Sequence, residues 1–152
     1  MRVLTVCLGN ICRSPAAQGI LENMAKKQGL SIELDSAGTA AYHIGKAPDA
    51  RSQKVLREIG IDISTQRGRQ VVPSDFTNFD WIVAMDAQNL SNLKRMVPAE
   101  SRAKLVMFGA FTGGVNHGEV ADPYYDGAEG FIRMREHLIE ISKDFIEHLS
   151  IS

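Results

Sequence analysis

The amino-acid sequence predicts an α/β fold with a single domain over residues 1–152, built on a four-stranded parallel sheet with helices on both faces. Short apolar runs alternate with helical patterns along the chain. The 152 residues, 44% of them hydrophobic, suffice to bury one core. No run approaches the roughly 20 apolar residues of a membrane span. For that reason no membrane is expected as a partner. The net charge of −1 argues against a general affinity for polyanions, so nucleic acid is not an expected partner either.

Four short apolar runs predict the strands, at residues 2–6, 31–37, 81–85 and 104–108. Strands of a parallel sheet that is covered on both faces are nearly continuously apolar, a pattern that is clearest in the runs 2–6, 81–85 and 104–108. Ligands of such sheets bind beyond the carboxyl ends of the strands. Residues that directly follow a predicted strand are therefore the first candidates for a functional site.

Helical patterns occupy the intervals between these runs. Ser14 and Pro15 predict the N-cap and the first position of the first helix. The apolar residues that recur at helical steps are Ile20, Leu21 and Met24; Val55, Leu56 and Ile59; Leu90, Leu93 and Met96; and Phe131, Met134, Leu138, Ile141, Phe145 and Leu149. The last of these groups is the longest, and it predicts one long amphipathic helix at the end of the chain.

The loop after the first strand carries the clearest chemical signal. Cys7 and Arg13 frame it, and Gly9 and Asn10 suit a tight bend because they tolerate positive φ. Loop amides beside a helix N-terminus direct N–H donors and partial positive charge at one spot, which suits a phosphate group. The same field favours the thiolate of Cys7, and the planar fork of Arg13 can hold two phosphoryl oxygens. The pattern predicts phosphoryl transfer to sulfur.

Two other interpretations of this stretch are ordinary ones. A cysteine at the end of a strand is often a small core residue, and Arg2 before a short apolar run imitates a secretory signal. The apolar run breaks at Gly9 and Asn10, however, and no small-residue cleavage site follows. The strand, the turn and the helix start together favour the phosphate-binding interpretation.

Residues 6–15, with the sequence VCLGNICRSP, resemble the phosphate loop of the low molecular weight protein tyrosine phosphatases. The sequence DPYY, which begins at Asp122, resembles the general-acid loop of that family. DSAGT from Asp35, RQ from Arg69 and FDWIVAMD over residues 79–86 also fall in the family's order. The resemblance implies hydrolysis of phosphotyrosine through a cysteinyl phosphate, in which Cys7 is the nucleophile, Arg13 binds phosphate and Asp122 protonates the leaving group.

The resemblance also assigns supporting roles. Ser14 is expected to hydrogen-bond to the Cys7 sulfur, and Asn10, Ser14 and Ser36 are expected to support the loop. The residues expected to bind phosphate are Leu8, Gly9, Asn10, Ile11, Cys12, Arg13 and Ser14. The residues expected to form the substrate wall are Tyr42, Tyr124 and Tyr125. The resemblance further implies that the loops at 42–45 and 122–127 converge on one rim.

Two interpretations concern individual side chains of this region. Tyr124 and Tyr125 are expected to sandwich the aromatic ring of a phosphoester, although a tyrosine pair in a loop is also often simple packing. Cys12 is predicted to be a redox partner that traps oxidised Cys7 as a reversible disulfide. The alternative for Cys12 is a small packed residue.

Three positions depart from the family pattern. Gln18 stands where many members have glutamate, and Gln66 stands where vertebrate members have a histidine that braces the loop asparagine. Both bear on the rigidity of the loop. Tyr42 occupies a position where several members carry tryptophan, which leaves the substrate preference open.

The expected partners are phosphotyrosine proteins, including a tyrosine kinase, and the expected location is the cytoplasm. A monomer or a weak homodimer is expected. The four histidines lack metal-ligand spacing, so neither a metal nor another cofactor is expected. Two alternatives from other classes are an arsenate reductase of the same fold, which needs cysteines that this chain lacks after Cys12, and a non-catalytic module that binds phosphoproteins.

Overall fold

The computed structural model describes residues 1–113 and 115–150, and its centre is one all-parallel sheet. The strands are β1 (Arg2–Cys7), β2 (Glu33–Gly38), β3 (Trp81–Ala84) and β4 (Lys104–Met107). They lie in the order β2-β1-β3-β4, with Cys7 opposite Gly38 and Val6 opposite Ala84. The predicted four-stranded parallel sheet is confirmed. The second strand begins two residues later than the predicted run 31–37 and ends one residue later.

The described α-helices are α1 (Arg13–Lys27), α2 (Ala50–Arg57), α3 (Asp75–Asn78), α4 (Ala87–Met96) and α5 (Gly127–Ser150). Two short 3₁₀ segments, Phe108–Thr112 and Val115–Gly118, follow β4. Within the described residues, no helix is both long enough and apolar enough to cross a membrane.

Alternate side chains of the strands feed two separate apolar layers, as the two-fold strand period requires. On one face Val3, Trp81 and Val83 pack with residues of α1, α2 and α5. On the other face Leu4 and Ile82 pack with Leu93 of α4 and Phe76 of α3. The sheet is therefore covered by helices on both faces, as predicted, and its carboxyl edge remains open for a site.

Two predictions about helices were wrong. Ile59 lies beyond the end of α2 and is exposed, because the chain leaves the helix after Arg57. The helix α1 begins at Arg13 rather than after Ser14, so Ser14 is not its N-cap and Pro15 is not its first residue. The hydroxyl of Ser14 instead faces the phosphate loop, residues 7–14, where it contacts the sulfur of Cys7.

Candidate active site

The phosphate loop is held from behind through its carbonyl groups. The carbonyls of Cys7 and Leu8 accept hydrogen bonds from the N–H groups of residues 39 and 40, at 2.9 and 3.0 Å. The carbonyl of Ile11 accepts from the Asp49 N–H at 2.8 Å, and that of Cys12 accepts from the Ser52 hydroxyl at 3.0 Å. All of these partners belong to the scaffold around the loop.

This anchoring decides the direction of the amides. Because a trans peptide is planar, the N–H of each residue points opposite to the preceding carbonyl. The outward carbonyls of residues 7, 8, 11 and 12 therefore turn the N–H groups of residues 8, 9, 12 and 13 inward. None of the hydrogen bonds among the described residues uses the backbone N–H of residues 8–12 as its donor. The loop is consequently a ring of free donors around one point.

Cys7 and Ser14 meet at the floor of this ring. The sulfur of Cys7 lies 3.0 Å from the Ser14 hydroxyl oxygen. That oxygen accepts from the side-chain amide of Asn10 at 2.9 Å, and its single hydrogen can go to the sulfur or to the Ala37 carbonyl, which is 3.5 Å away. The same amide donates to the Ser36 hydroxyl at 3.0 Å. The structure thus brings together the nucleophile and the three residues predicted to support the loop.

Asn10 adopts the left-handed conformation, with φ of 58°. Its side-chain oxygen accepts from the backbone N–H of Arg69 at 3.0 Å. The Arg69 guanidinium is itself held by Asp35 at 3.1 Å and by Asp75 at 3.0 Å. Gln66 does not brace Asn10, since its amide donates to a carbonyl at the start of α1. The backbone N–H of Arg69, and not Gln66, therefore braces the side chain of Asn10.

Gly9 does not have positive φ, so the prediction of a positive-φ bend holds for Asn10 alone. A Cβ on Gly9 would lie 2.9 Å from Cδ2 of His43, so a side chain at this position would have to displace that imidazole. His43 lines the cavity beside Tyr42. The resemblance placed the loop 42–45 on the rim, but it did not single out this imidazole as a wall of the cavity.

Arg13 is buried under the loop, with only 4% of its side chain exposed. Its Nη1 donates to Asp86 at 2.7 Å and to the Val120 carbonyl at 3.0 Å. Burial alone would lower the pKa of Arg13, but the negative charges of Cys7, Asp86 and Asp122 raise it, so the guanidinium stays charged. Both hydrogen bonds use Nη1, and among the described residues Nε and Nη2 donate no hydrogen bond, so both can donate to a ligand.

The roles of Asp86 and the Val120 carbonyl were missed by sequence reasoning. Asp86 lies two residues after the end of β3 and directly follows the predicted run 81–85. Its place at the carboxyl end of a strand was the signal that could have identified it. The role of the Val120 carbonyl could not be predicted from the sequence, because every residue has a backbone carbonyl.

Asp122 lies at the mouth of the site, with 48% of its side chain exposed. Its carboxylate is 3.7 Å from Nη2 of Arg13, beyond hydrogen-bonding distance. Asp122, Cys7 and Arg13 line one open cavity of about 270 Å³. The structure therefore brings together the three residues predicted to be catalytic, although Asp122 is far from Cys7 and Arg13 along the chain.

The rim of the cavity is aromatic. Tyr42, Tyr124 and Tyr125 all line it, as the resemblance implied. The rings of Tyr124 and Tyr125 lie edge to face, with their centroids 5.0 Å apart. Because the two rings contact each other, there is no space between them for the ring of a substrate. This geometry therefore does not support the expected sandwich. Each ring instead forms part of the wall.

Cys12 is buried beside Cys7, and both cysteines are free. Burial raises the pKa of the Cys12 thiol above its ordinary value, and the charges of Asp49 and Cys7 raise it further. Cys12 is therefore a neutral thiol at physiological pH. Its role as a redox partner stays a prediction. Within the described part of the chain, no group of three or more His, Cys, Asp or Glu side chains could hold a metal ion.

A parallel α/β sheet with a thiol at the end of β1, a ring of inward amides and a buried arginine defines the class of cysteine-dependent phosphatases. A sequence model of the family described as low molecular weight phosphotyrosine protein phosphatase matches residues 2–151. The chain belongs to this family, and it is a cysteine-dependent hydrolase.

Individual relatives agree with this membership. A low molecular weight phosphotyrosine protein phosphatase of Schizosaccharomyces pombe is 42% identical, over 99% of this chain and 97% of that protein. The crystal structure of a protein tyrosine phosphatase from Entamoeba histolytica, with Hepes in its active site, has a TM-score of 0.93 and 38% identity, covering 99% of this chain and 97% of the other. The structure of a Drosophila arginine phosphatase has the same TM-score with 34% identity, covering 98% of each chain.

Proposed function

We propose that this protein hydrolyses phosphotyrosine in proteins, and small aryl phosphates, through a covalent cysteinyl phosphate. The observation that carries the proposal is the meeting of the Cys7 sulfur, the inward N–H groups and Asp122 in one cavity. The phosphate group fits the ring of amides, because each donor faces a place where phosphoryl oxygen charge develops. We therefore assign the binding of phosphate to residues 8–14.

In the first step the Cys7 thiolate attacks phosphorus, and the bond between phosphorus and the tyrosine oxygen breaks. The inward amides and the free edge of Arg13 bind the three equatorial oxygens. Asp122, as the neutral acid, gives its proton to the departing tyrosine oxygen. The Ser14 hydroxyl lies 3.0 Å from the sulfur. Because a thiolate has no hydrogen, this hydroxyl is then the donor, and it supports the thiolate before attack and again when it leaves.

In the second step water attacks the phosphorus of the cysteinyl phosphate. Asp122 is now a carboxylate, and it takes a proton from this water as the new oxygen–phosphorus bond forms. The sulfur–phosphorus bond breaks and returns the Cys7 thiolate. The products are inorganic phosphate and an enzyme with Asp122 protonated, ready for the next turnover.

The walls of the cavity favour an aromatic substrate over a phosphorylated arginine. Leu8, Ile11 and the three tyrosines supply apolar and aromatic surface. A phosphoarginine side chain carries a guanidinium, which needs acceptors in its binding site. Among the residues that line the cavity, Asp122 is the one carboxylate. Phosphotyrosine is therefore the substrate class that we propose, even though a structural relative is an arginine phosphatase.

A Cys7→Ser variant tests the proposal together with acid quenching of the wild-type reaction. We expect no turnover in the variant but retained binding of vanadate, because the amides and Arg13 remain. Quenched wild-type enzyme should carry phosphate on Cys7, and a metal chelator should not change the rate. Substantial turnover by Cys7→Ser, or phosphate on any other residue, would refute the covalent mechanism.

Substrate comparison separates the alternatives. Phosphotyrosine peptide, phosphoarginine and arsenate with thioredoxin are tested with the same preparation. Hydrolysis of the peptide supports the proposal. Preferential cleavage of phosphoarginine, reduction of arsenate, or binding of phosphopeptide without hydrolysis would each replace it with another function.

The setting of the reaction is part of the proposal. We place the enzyme in the cytoplasm, as a monomer or weak homodimer that acts on phosphotyrosine proteins, including a tyrosine kinase. The small open cavity suits a phosphorylated side chain presented on a protein surface. Sedimentation of the purified chain and cell fractionation test the oligomeric state and the location.

A further inference from the structure

Arg51 lies between two parts of the site that the mechanism uses. It stands at the start of α2, and its Nη1 donates to the carbonyl of Tyr124 at 2.9 Å. Its Nε and Nη2 donate to the two carboxylate oxygens of Asp49, at 3.0 and 2.9 Å. The guanidinium carbon is 5.2 Å from the ring centre of Tyr124 and 4.6 Å from that of Phe131. Arg51 thus contacts both the segment that carries Asp122 and the start of α5.

The neighbours of Arg51 at the start of α2 are hydrogen-bonded to the phosphate loop. The N–H of Asp49 donates to the Ile11 carbonyl at 2.8 Å, and the Ser52 hydroxyl donates to the Cys12 carbonyl at 3.0 Å. Ser52 is fully buried. Asp49 also caps α2 by accepting from the Arg51 N–H at 2.8 Å. The start of α2 therefore moves with the phosphate loop.

The segment of residues 121–126, here called the acid loop, is anchored just before its start, where the Val120 N–H donates to the Met85 carbonyl at 2.7 Å and the Val120 carbonyl accepts from Arg13 at 3.0 Å. Asp122 itself lies 3.7 Å from Nη2 of Arg13. On the other side of Asp122, the anchor is the hydrogen bond from Arg51 to Tyr124.

The remaining hydrogen bonds of the acid loop are internal: the Tyr124 N–H donates to Asp122 at 3.1 Å, and the Asp126 N–H donates to the Pro123 carbonyl at 2.9 Å. Among the hydrogen bonds of the described residues, the one from Arg51 to Tyr124 is the one that ties the acid loop to another part of the chain. Asp122 is two residues from that bond.

We propose that Arg51 is a positioning residue that sets the distance between Asp122 and the phosphate bound at Cys7. The inference rests on the proposed role of Asp122 as the general acid. Proton transfer needs Asp122 within hydrogen-bonding reach of the leaving oxygen, and a displacement of 1 Å can cost about 100-fold in rate. Arg51 is not among the residues that line the cavity with Cys7, so it acts through the acid loop.

The chemistry of this contact requires arginine. One planar fork makes three hydrogen bonds, to Asp49 and to Tyr124, while its faces lie near two aromatic rings. The ammonium of lysine is a point charge that cannot match this geometry. The ion pair with Asp49 is partly exposed and contributes little to stability by itself. Loss of Arg51 should therefore affect proton transfer more than folding.

The test compares kcat/KM for aryl phosphates that differ only in the pKa of the leaving phenol. In Arg51→Met, we expect kcat/KM to fall about tenfold for phenyl phosphate and less than about twofold for dinitrophenyl phosphate, whose leaving group needs no proton. Inhibition by inorganic phosphate should change less than about twofold, because the ring of amides is intact. Arg51→Lys should show the same selective loss, and Arg57→Met, at the other end of α2, serves as the matched control.

A double variant makes the result specific. If Arg51 acts through Asp122, then Arg51→Met should add no further loss to Asp122→Asn with phenyl phosphate. An equal loss for all leaving groups, no loss, or full additivity with Asp122→Asn would overturn the role of Arg51. If Asp122→Asn itself lacks leaving-group dependence, the assignment of the acid fails instead. The two failures are thus distinguishable, and thermal unfolding of each variant verifies that it is folded.

Discussion

Replacement of Asp86 by asparagine is expected to lower kcat/KM about tenfold without disrupting the fold. One oxygen of Asp86 accepts from Arg13 at 2.7 Å, and the other accepts from the Asn89 N–H at 2.7 Å as the N-cap of α4. Asparagine caps helices as well as aspartate does, but it has a single acceptor oxygen, so when this oxygen caps α4 the NH2 group faces Arg13 and cannot accept from it. The substitution therefore keeps the cap and removes the charged partner of Arg13, which retains its hydrogen bond to the Val120 carbonyl.

The magnitude follows from the burial of Arg13. A hydrogen bond to a charged group contributes about 1.5–3 kcal/mol. Loss of the lower value, about 1.5 kcal/mol, corresponds to roughly tenfold in rate if Arg13 is misaligned by that energy in the transition state. Asp86→Ala would instead leave a buried charge without its partner, at about 3–5 kcal/mol. That loss approaches the whole stability of a small domain, about 5–15 kcal/mol, so asparagine is the informative change.

The assay measures kcat/KM with p-nitrophenyl phosphate and with a phosphotyrosine peptide, together with thermal unfolding. Asp80→Asn is the matched control, because Asp80 pairs with the exposed Arg102. Its kcat/KM should stay within about twofold of wild type. If Asp86→Asn also stays within about twofold, Asp86 is only a helix cap and the Val120 carbonyl suffices to hold Arg13.

Three further outcomes are expected. Asp122→Asn should slow hydrolysis of poorly activated aryl phosphates by roughly 10²- to 10⁴-fold, and esters of acidic phenols should suffer less; a loss that is the same for every leaving group would make Asp122 structural. After mild peroxide, wild type should recover activity with dithiothreitol better than Cys12→Ser, and equal recovery without a Cys7–Cys12 peptide by mass spectrometry would leave Cys12 a packing residue. Partial burial alone would raise the pKa of Asp49, but hydrogen bonds from Arg51 lower it below the ordinary 3.8. The stability that Asp49 adds over Asp49→Asn should therefore be full at neutral pH and disappear as pH falls through the lowered value; a difference that persists at lower pH contradicts the ion pair.

Sequence reasoning succeeded where the signal is local. The strand, turn and helix around Cys7 lie within fifteen residues, and apolar runs alternate with helical patterns along the rest of the chain. These features follow from backbone preferences and periodicity, which depend on near neighbours. Sequence reasoning failed at the ends of elements. The capping rules predict Ser14 as the N-cap of α1, but its hydroxyl bonds to Cys7 and Asn10 instead, and the helix begins at Arg13.

The sequence by itself determined the parallel α/β class, the phosphate loop and the identity of the nucleophile candidate, because each is written in contiguous residues. The tertiary structure alone decided what holds Arg13 and Asn10, since Asp86 and Arg69 reach them from 73 and 59 positions away. It also decided that the carbonyls of the loop turn outward and that Tyr124 meets Tyr125 edge to face. Such contacts form because the sheet order β2-β1-β3-β4 brings distant segments to one edge. The number of residues between two positions does not reveal how close they lie in the fold.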